Sequence, residues 1–372
     1  MAGLFSVNAL SAACAGSGKG GPVGEELAWP VYLGDQRHDV AAQESLNPDP
    51  HPLWHATVGR SVRGSPALGE SVIAVGTGDR NVVLLDRTSG DVLWKVGVEG
   101  SVRTGPLLDK DRLFVAAESQ PNGQVYALRL RDGHVLWRTR AGSVVAPLVF
   151  DTTTAALYVG TDEGSVLRLD SDKGEVHWHT VLSGAVRAGP LITPHGLLVA
   201  TTSDTLYLLD PDHGAVRAQV ALPGTVLATP ATDGQRAYFG TVNGRIVAID
   251  LASGTTVWDR AAGDAVYGAP ALVRDTLFVM ARNGQLWLIP VTQPDSARSH
   301  ALGFVATAGP TPLASGGGVL VANINGDVVL VEPSDGSIRW RTQIPGPIDE
   351  PPLVRERELI VIGGRGNIHA FR

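Results

Sequence analysis

The chain has 372 residues, 44% of them hydrophobic and only 18% charged, which supplies apolar content for a buried core and too little charge for a disordered chain. Its formal net charge of −7 argues against a nucleic-acid binder that works by neutralising phosphates. A single cysteine, Cys14, excludes an internal disulfide and a thiolate metal knuckle, and no apolar run approaches the ~20 residues of a membrane-crossing helix.

From the N-terminus, the apolar stretch Ala2–Leu10 leads into Leu10-Ser11-Ala12-Ala13-Cys14. This resembles a bacterial lipobox, in which cleavage follows the small residues and the cysteine is lipidated. It departs from that pattern in two ways: the Leu stands one place early, and no Lys or Arg precedes the apolar stretch. The alternative is a disordered tail with a stray cysteine. Ala15-Gly16-Ser17-Gly18-Lys19-Gly20-Gly21 follows as a flexible tether. The chain therefore divides into a possible signal segment (1–14), a tether with a lead-in arm (15–52) and one large domain (53–372).

Within that domain two ladders run in phase. Trp54, Trp94, Trp137 and Trp178 are 40, 43 and 41 residues apart. Trp258 and Trp340 continue the series once Ala218 and a residue near His300 fill the missing places. A proline after a small residue recurs at Pro66, Pro106, Pro147, Pro190, Pro230, Pro270, Pro312 and Pro352. Eight prolines at a period near 40 predict eight units.

In the first unit, Val62–Ala67 begins a strand, Ser71–Thr77 forms a second, Val82–Asp86 a third and Asp91–Trp94 a fourth. Later units break at Asn122-Gly123, Asn243-Gly244, Asn283-Gly284 and Asn325-Gly326, pairs that favour tight hairpins because both residues tolerate positive φ. No 3.6-residue apolar period persists for three turns, so helix is nearly absent. Four short antiparallel strands per unit, repeated eight times, predict an all-β, eight-bladed β-propeller.

The outer hairpin carries Asp-x-x-x-Gly-x-x-x-Trp at Asp86/Gly90/Trp94, Asp170/Gly174/Trp178 and Asp250/Gly254/Trp258. The glycine permits the turn, the acid bonds turn amides, and the flat indole covers the apolar gap between blades. Trp54, Trp94, Trp137, Trp178, Trp258 and Trp340 are therefore read as blade-docking residues, since a ligand-stacking row needs no such regular spacing. In the sixth unit Pro290-Val291-Thr292-Gln293-Pro294 replaces the usual turn, which predicts a short or displaced outer strand. Twenty residues separate Pro66 from Asp86, and the same distance from Pro352 reaches Arg372. The eighth unit thus lacks its fourth strand, and the strand carrying Trp54 is predicted to supply it and close the ring.

These hairpins resemble the pyrroloquinoline quinone (PQQ)-like repeat, as Asp86-Arg87-Thr88-Ser89-Gly90 and Asp250-Leu251-Ala252-Ser253-Gly254 with their following Trp show. Trp29-Pro30-Val31-Tyr32-Leu33-Gly34-Asp35 also resembles the lead-in that precedes the first blade of such proteins. In size and layout the chain is similar to the BamB-type lipoproteins of the outer-membrane barrel-assembly machinery. That resemblance implies a non-catalytic scaffold that binds envelope proteins in the periplasm, lipid-anchored through Cys14. The alternatives are a PQQ-binding oxidoreductase and a secreted or sensory ligand-binding propeller. Dehydrogenase members cap the quinone with inserted loops, hold calcium with Glu, Asn and Asp, and in many cases carry a vicinal disulfide. Here the unit spacings leave no such insertion and one cysteine cannot form that disulfide. No PQQ, calcium or catalytic residue is therefore expected.

The remaining candidates are weaker. His177 and His179 share a strand face at chelating distance but have no evident third ligand, and His51 and His55 stand alone. Asp109, Asp111, Glu163, Glu356 and Glu358 read as solvated turn carboxylates. One position breaks the bland pattern: three residues before each repeat proline stand Arg63, Arg103, Val144, Arg187, Leu227, Tyr267, Gly309 and Asp349. There each unit enters its first, channel-lining strand. Arg63, Arg103, Arg187, Tyr267 and Asp349 are thus predicted to form a polar ring at the channel mouth, serving either an anion or partner loop or the stitching of neighbouring blades.

Overall fold

A computed structural model describes residues 32–35, 38, 43–119, 122–314 and 316–372. The described residues form eight antiparallel sheets arranged as an eight-bladed propeller. Blade one runs from Ala67–Leu68 through Val72–Gly76 and Asn81–Asp86 to Val92–Gly97 at the rim. Its neighbours repeat that order. The first strands of blades one and two, five and six, and six and seven pack together near the axis, and the approach is close enough to require glycine: a Cβ on Gly105 would stand 2.3 Å from Ser65 O, and one on Gly268 would stand 2.2 Å from Gly309 N.

The middle strands are covered on both faces by neighbouring blades, which is why Val72–Gly76 and Ala156–Gly160 are buried at every residue and read as continuous apolar runs. Rim strands such as Val135–Arg140 are largely exposed. Blade eight is built from Leu353–Arg355, Glu358–Gly363 and Asn367–Phe371 together with Pro52–Thr57 from the other end of the chain. Trp54 pairs with Ala370 and Thr57 with Asn367, and the Thr57 hydroxyl donates to Asn367 Oδ1 at 2.8 Å. No sheet in the ring is left to be completed at this junction, as the strand arithmetic anticipates.

The Trp rings lie between blades. The Nε1–H of Trp54, Trp94, Trp137 and Trp178 donates to Arg87 O, Leu130 O, Ser171 O and Pro211 O at 3.0, 2.6, 2.9 and 3.0 Å. Each acceptor follows the acid position of the next blade's outer hairpin. In that hairpin Asp86 Oδ1 accepts the amides of Thr88 and Ser89, both at 2.9 Å. His300 fills a missing Trp place in kind, with Nε2 3.0 Å from Pro333 O. Trp258 faces the irregular sixth blade, and its Nε1 has no hydrogen-bond partner among the described residues. That blade's rim strand is Arg298–Ala301, four residues against the usual six, after a single 3-10 turn at Pro294–Ser296.

Three expectations need correction. The first strand does not begin at Val62: it starts at Ala67, after a proline that has no N–H for the ladder, and Val62 makes only an isolated bridge to Thr77. The Asn-Gly pairs do not form two-residue hairpins. In blade five Thr241–Gly244 makes the connection, Thr241 Oγ1 accepts the Arg245 amide at 2.9 Å, and of the pair only Gly244 takes positive φ. Nor are all the hairpin carboxylates solvated. Asp109 is buried and lies 2.7 Å from Arg112 Nη2. Glu358 is 3% exposed and is held between Arg87 of blade one, at 3.3 Å, and Arg372, at 2.5 Å. Arg87 also bonds Glu356. Asp109 is paired within its own hairpin, whereas Glu358 receives one of its guanidiniums from a neighbouring blade.

Candidate functional site

The position three residues before each proline does converge on the axis. Arg103, Arg187, Leu227, Tyr267, Gly309 and Asp349 line a cavity of about 180 Å³ at one channel mouth. Arg63 lines the adjoining cleft of about 450 Å³, which it shares with Arg103, Asp349 and Glu350. Val144 departs from the pattern: it is fully buried, and its neighbour Val145 lines the cavity instead.

The arginines sit in different surroundings. Arg103 Nε lies 2.8 Å from Glu118 Oε2, and Arg187 Nε lies 2.8 Å from Asp162 Oδ1. Both guanidinium side chains remain about half exposed, 51% and 50%, and the Asp162 carboxylate holds the Arg187 guanidinium above its ordinary pKa. Arg63 is exposed and has no ion pair among the described residues. Tyr267 is 39% exposed, and Asp349 Oδ1 accepts the Thr307 hydroxyl at 3.1 Å. Three cations therefore alternate with Glu118, Asp162, Asp349 and Glu350, so the mouth is mixed in charge rather than cationic.

Residues that periodicity cannot reveal fill its centre. Tyr32, from the lead-in arm, lines the axial cavity, and its hydroxyl donates to Glu350 Oε2 at 3.1 Å. The Tyr32 ring meets His38 edge-on, with centroids 5.9 Å apart. His38 is 6% exposed with Nδ1 2.8 Å from Pro270 O, the inner proline of blade six. Burial lowers the His38 pKa, which keeps the ring neutral with Nδ1–H as donor to that carbonyl. Glu350 is half-buried by surface yet packed deep among other atoms. Desolvation pushes its carboxyl up to about 7, assisted by the Asp349 charge and opposed by bonds from Tyr32 and the Gly64 backbone. Tyr32 is raised in turn by its own burial and by Glu350. The sequence offers Tyr32 only as part of a lead-in, and Glu350 gives no repeat signal at all.

The other candidates do not gather. His177 and His179 are exposed, with His179 Nε2 2.9 Å from Ser165 Oγ. His51 lies 3.8 Å from Asp49, and His55 stacks on His369 with centroids 6.1 Å apart. Cys14 and Trp29 lie outside the described residues. The axial cavity, which Tyr32 lines, is smaller than the ~300–1,000 Å³ of small-molecule pockets, and the adjoining cleft is within that range. Among the described residues no three His, Cys, Asp or Glu are placed to share a metal ion.

Residues 44–191, 162–293 and 279–372 match the family model described as outer membrane protein assembly factor BamB. Among solved structures, BamB from Moraxella catarrhalis is similar with a TM-score of 0.73 and 16% identity, covering 87% of this chain and 99% of that one. The computationally designed Ika8 protein gives 0.69 and 14%, covering 88% and 98%. At these identities the likeness shows the fold alone. No curated protein matches the chain.

Proposed function

Because the chain belongs to the outer membrane protein assembly factor BamB family, whose model it matches between residues 44 and 372, we propose that it is a non-catalytic scaffold of the cell envelope. In this reading the propeller presents its axial face to a partner protein of outer-membrane assembly, on the periplasmic side, with Cys14 as a lipid anchor. The observation that carries the reading is the construction of that face. Tyr32 and Glu350 close the centre, while Arg63, Arg103 and Arg187 keep exposed or half-exposed guanidiniums around it. Half-exposed arginines beside carboxylates suit the rim of a protein interface, where charge sets the association rate and register more than raw affinity.

The test combines a melt with a pull-down from native membranes, using the triple variant Arg63→Ala, Arg103→Ala and Arg187→Ala. Exposed pairs contribute only ~0–1 kcal/mol each, so the melt should move by a few degrees at most. Partner recovery should fall, and the residual binding should depend less on salt. Unchanged recovery with an intact melt would refute the axial docking face. A melt lowered by many degrees would instead make the arginines blade stitches.

A further inference from the structure

Where blades eight, one, two and three meet the blade that follows, an indole lies on the glycine of the next outer hairpin. The contact is close: a Cβ on Gly90 or Gly174 would stand 2.4 Å from Cε3 of Trp54 or Trp137, and one on Gly214 would stand 2.6 Å from Cε3 of Trp178. Between blades six and seven His300 does the same, 2.7 Å from a Cβ on Gly336. The junction of blades four and five differs. Ala218 pairs with Leu208 at the register that Trp94 takes with Leu84, so the indole position holds a methyl group. A Cβ on Gly254 would meet only Val220 Cγ2, at 3.1 Å.

The missing ring leaves a slot of about 160 Å³ lined by Leu198, Leu206, Leu208, Ile249 and Leu251, with Gly254 at its base. An apolar cavity of ~150 Å³ is known to admit a benzene ring. Leu251 O is the counterpart of the carbonyls that receive the indole N–H at four other junctions, and among the described residues nothing donates to it. The slot opens beside Ala218 and Gln219, which are exposed on the rim strand Val216–Ala221. A side chain can therefore enter from outside without parting the blades.

We propose that this slot binds a tryptophan side chain of a partner polypeptide, with the ring over Gly254 and the indole N–H donating to Leu251 O. The junctions that follow blades eight, one, two and three specify the occupant: the same backbone frame holds an indole at each of those four, and the free carbonyl favours a ring bearing a donor over a plain phenyl. The site is on the rim and stands or falls independently of the axial face.

The test uses methyl-labelled protein and N-acetyl-L-tryptophanamide as probe. Saturable shifts of the Leu198, Leu208 and Ile249 methyls are expected, weakened at least several-fold with the N1-methylated probe. Ala218→Trp should fill the slot from within, abolish those shifts and raise the melting temperature. Absence of shifts, shifts that persist in A218W, or equal binding of the N1-methylated probe each overturn the proposal. So does a lowered melt of A218W, because the slot would then not accept the ring its neighbours hold. Shifts with free indole but none with the amide would mark a small-molecule slot and overturn the side-chain assignment.

Discussion

Replacing Glu350 by Gln isolates the energetic cost of a carboxyl at the channel centre. The Gln side chain keeps a carbonyl to accept the Tyr32 hydroxyl, which lies 3.1 Å from Glu350 Oε2, and removes only the ionisation. Burial raises the Glu350 pKa from 4.5 to about 7, so between those values the folded state holds a proton that the unfolded chain has released. Stability therefore falls as pH rises through that window, is unaffected by this group below it, and carries the full cost above it. The shift corresponds to ~3 kcal/mol, of which about 2–3 kcal/mol should appear between pH 5 and pH 8. Urea denaturation of wild type and Glu350→Gln at those two pH values reads the difference directly. The variant should match wild type to within ~1 kcal/mol at pH 5 and exceed it at pH 8. Equal pH dependence in the two proteins would refute the reasoning.

Two further outcomes follow from the fold and a third from the proposed lipid anchor. Trp54 is half-buried and bonded to Arg87 O, so Trp54→Ala should cost ~2–3 kcal/mol, below the ~3–5 kcal/mol of a fully buried Trp; a loss under 1 kcal/mol in urea melts would remove it from ring closure. Arg87 and Glu358 form a pair with side chains only 7% and 4% exposed, so either single Ala variant should lose ~3–5 kcal/mol and the double variant far less than the sum. Additive losses would show that the two side chains act separately. Cys14→Ala should move the protein from the membrane fraction to the soluble periplasmic fraction, and a wild type that is already soluble with its N-terminal peptide intact by mass spectrometry would sink the anchor.

The architecture was legible because it is written eight times. A proline in each blade and an indole in most of them report the same backbone event at a constant period, and Trp54, one period before Trp94, puts the closing strand in that ladder. The ring position was legible for the same reason: the chain enters the axis three residues before the repeat prolines other than Pro147, whatever the side chain, which brought Arg103, Arg187, Tyr267 and Asp349 together. Single-copy features carry no such signal. Tyr32 and His38 reach the axis from outside the repeat, and their partners Glu350 and Pro270 belong to blades eight and six. Glu358 looked solvated because its partner Arg87 is remote in sequence and adjacent only once the ring is closed. Strand ends were missed where the proline's lost donor delays the ladder until Ala67.

The shared blade also sets an order for folding. Thr57 and Asn367, bonded partners in that blade, are 310 residues apart in sequence. Whether the chain folds as it is made or after export, that whole interval must emerge before the two strands can meet. Until then the Pro52–Thr57 strand has no sheet to join, while blades one to seven can each complete themselves from local hairpins as they emerge. The chain thus passes through an open, nearly finished ring whose first-made strand is its last to dock, and that strand is where a holding chaperone would be needed most.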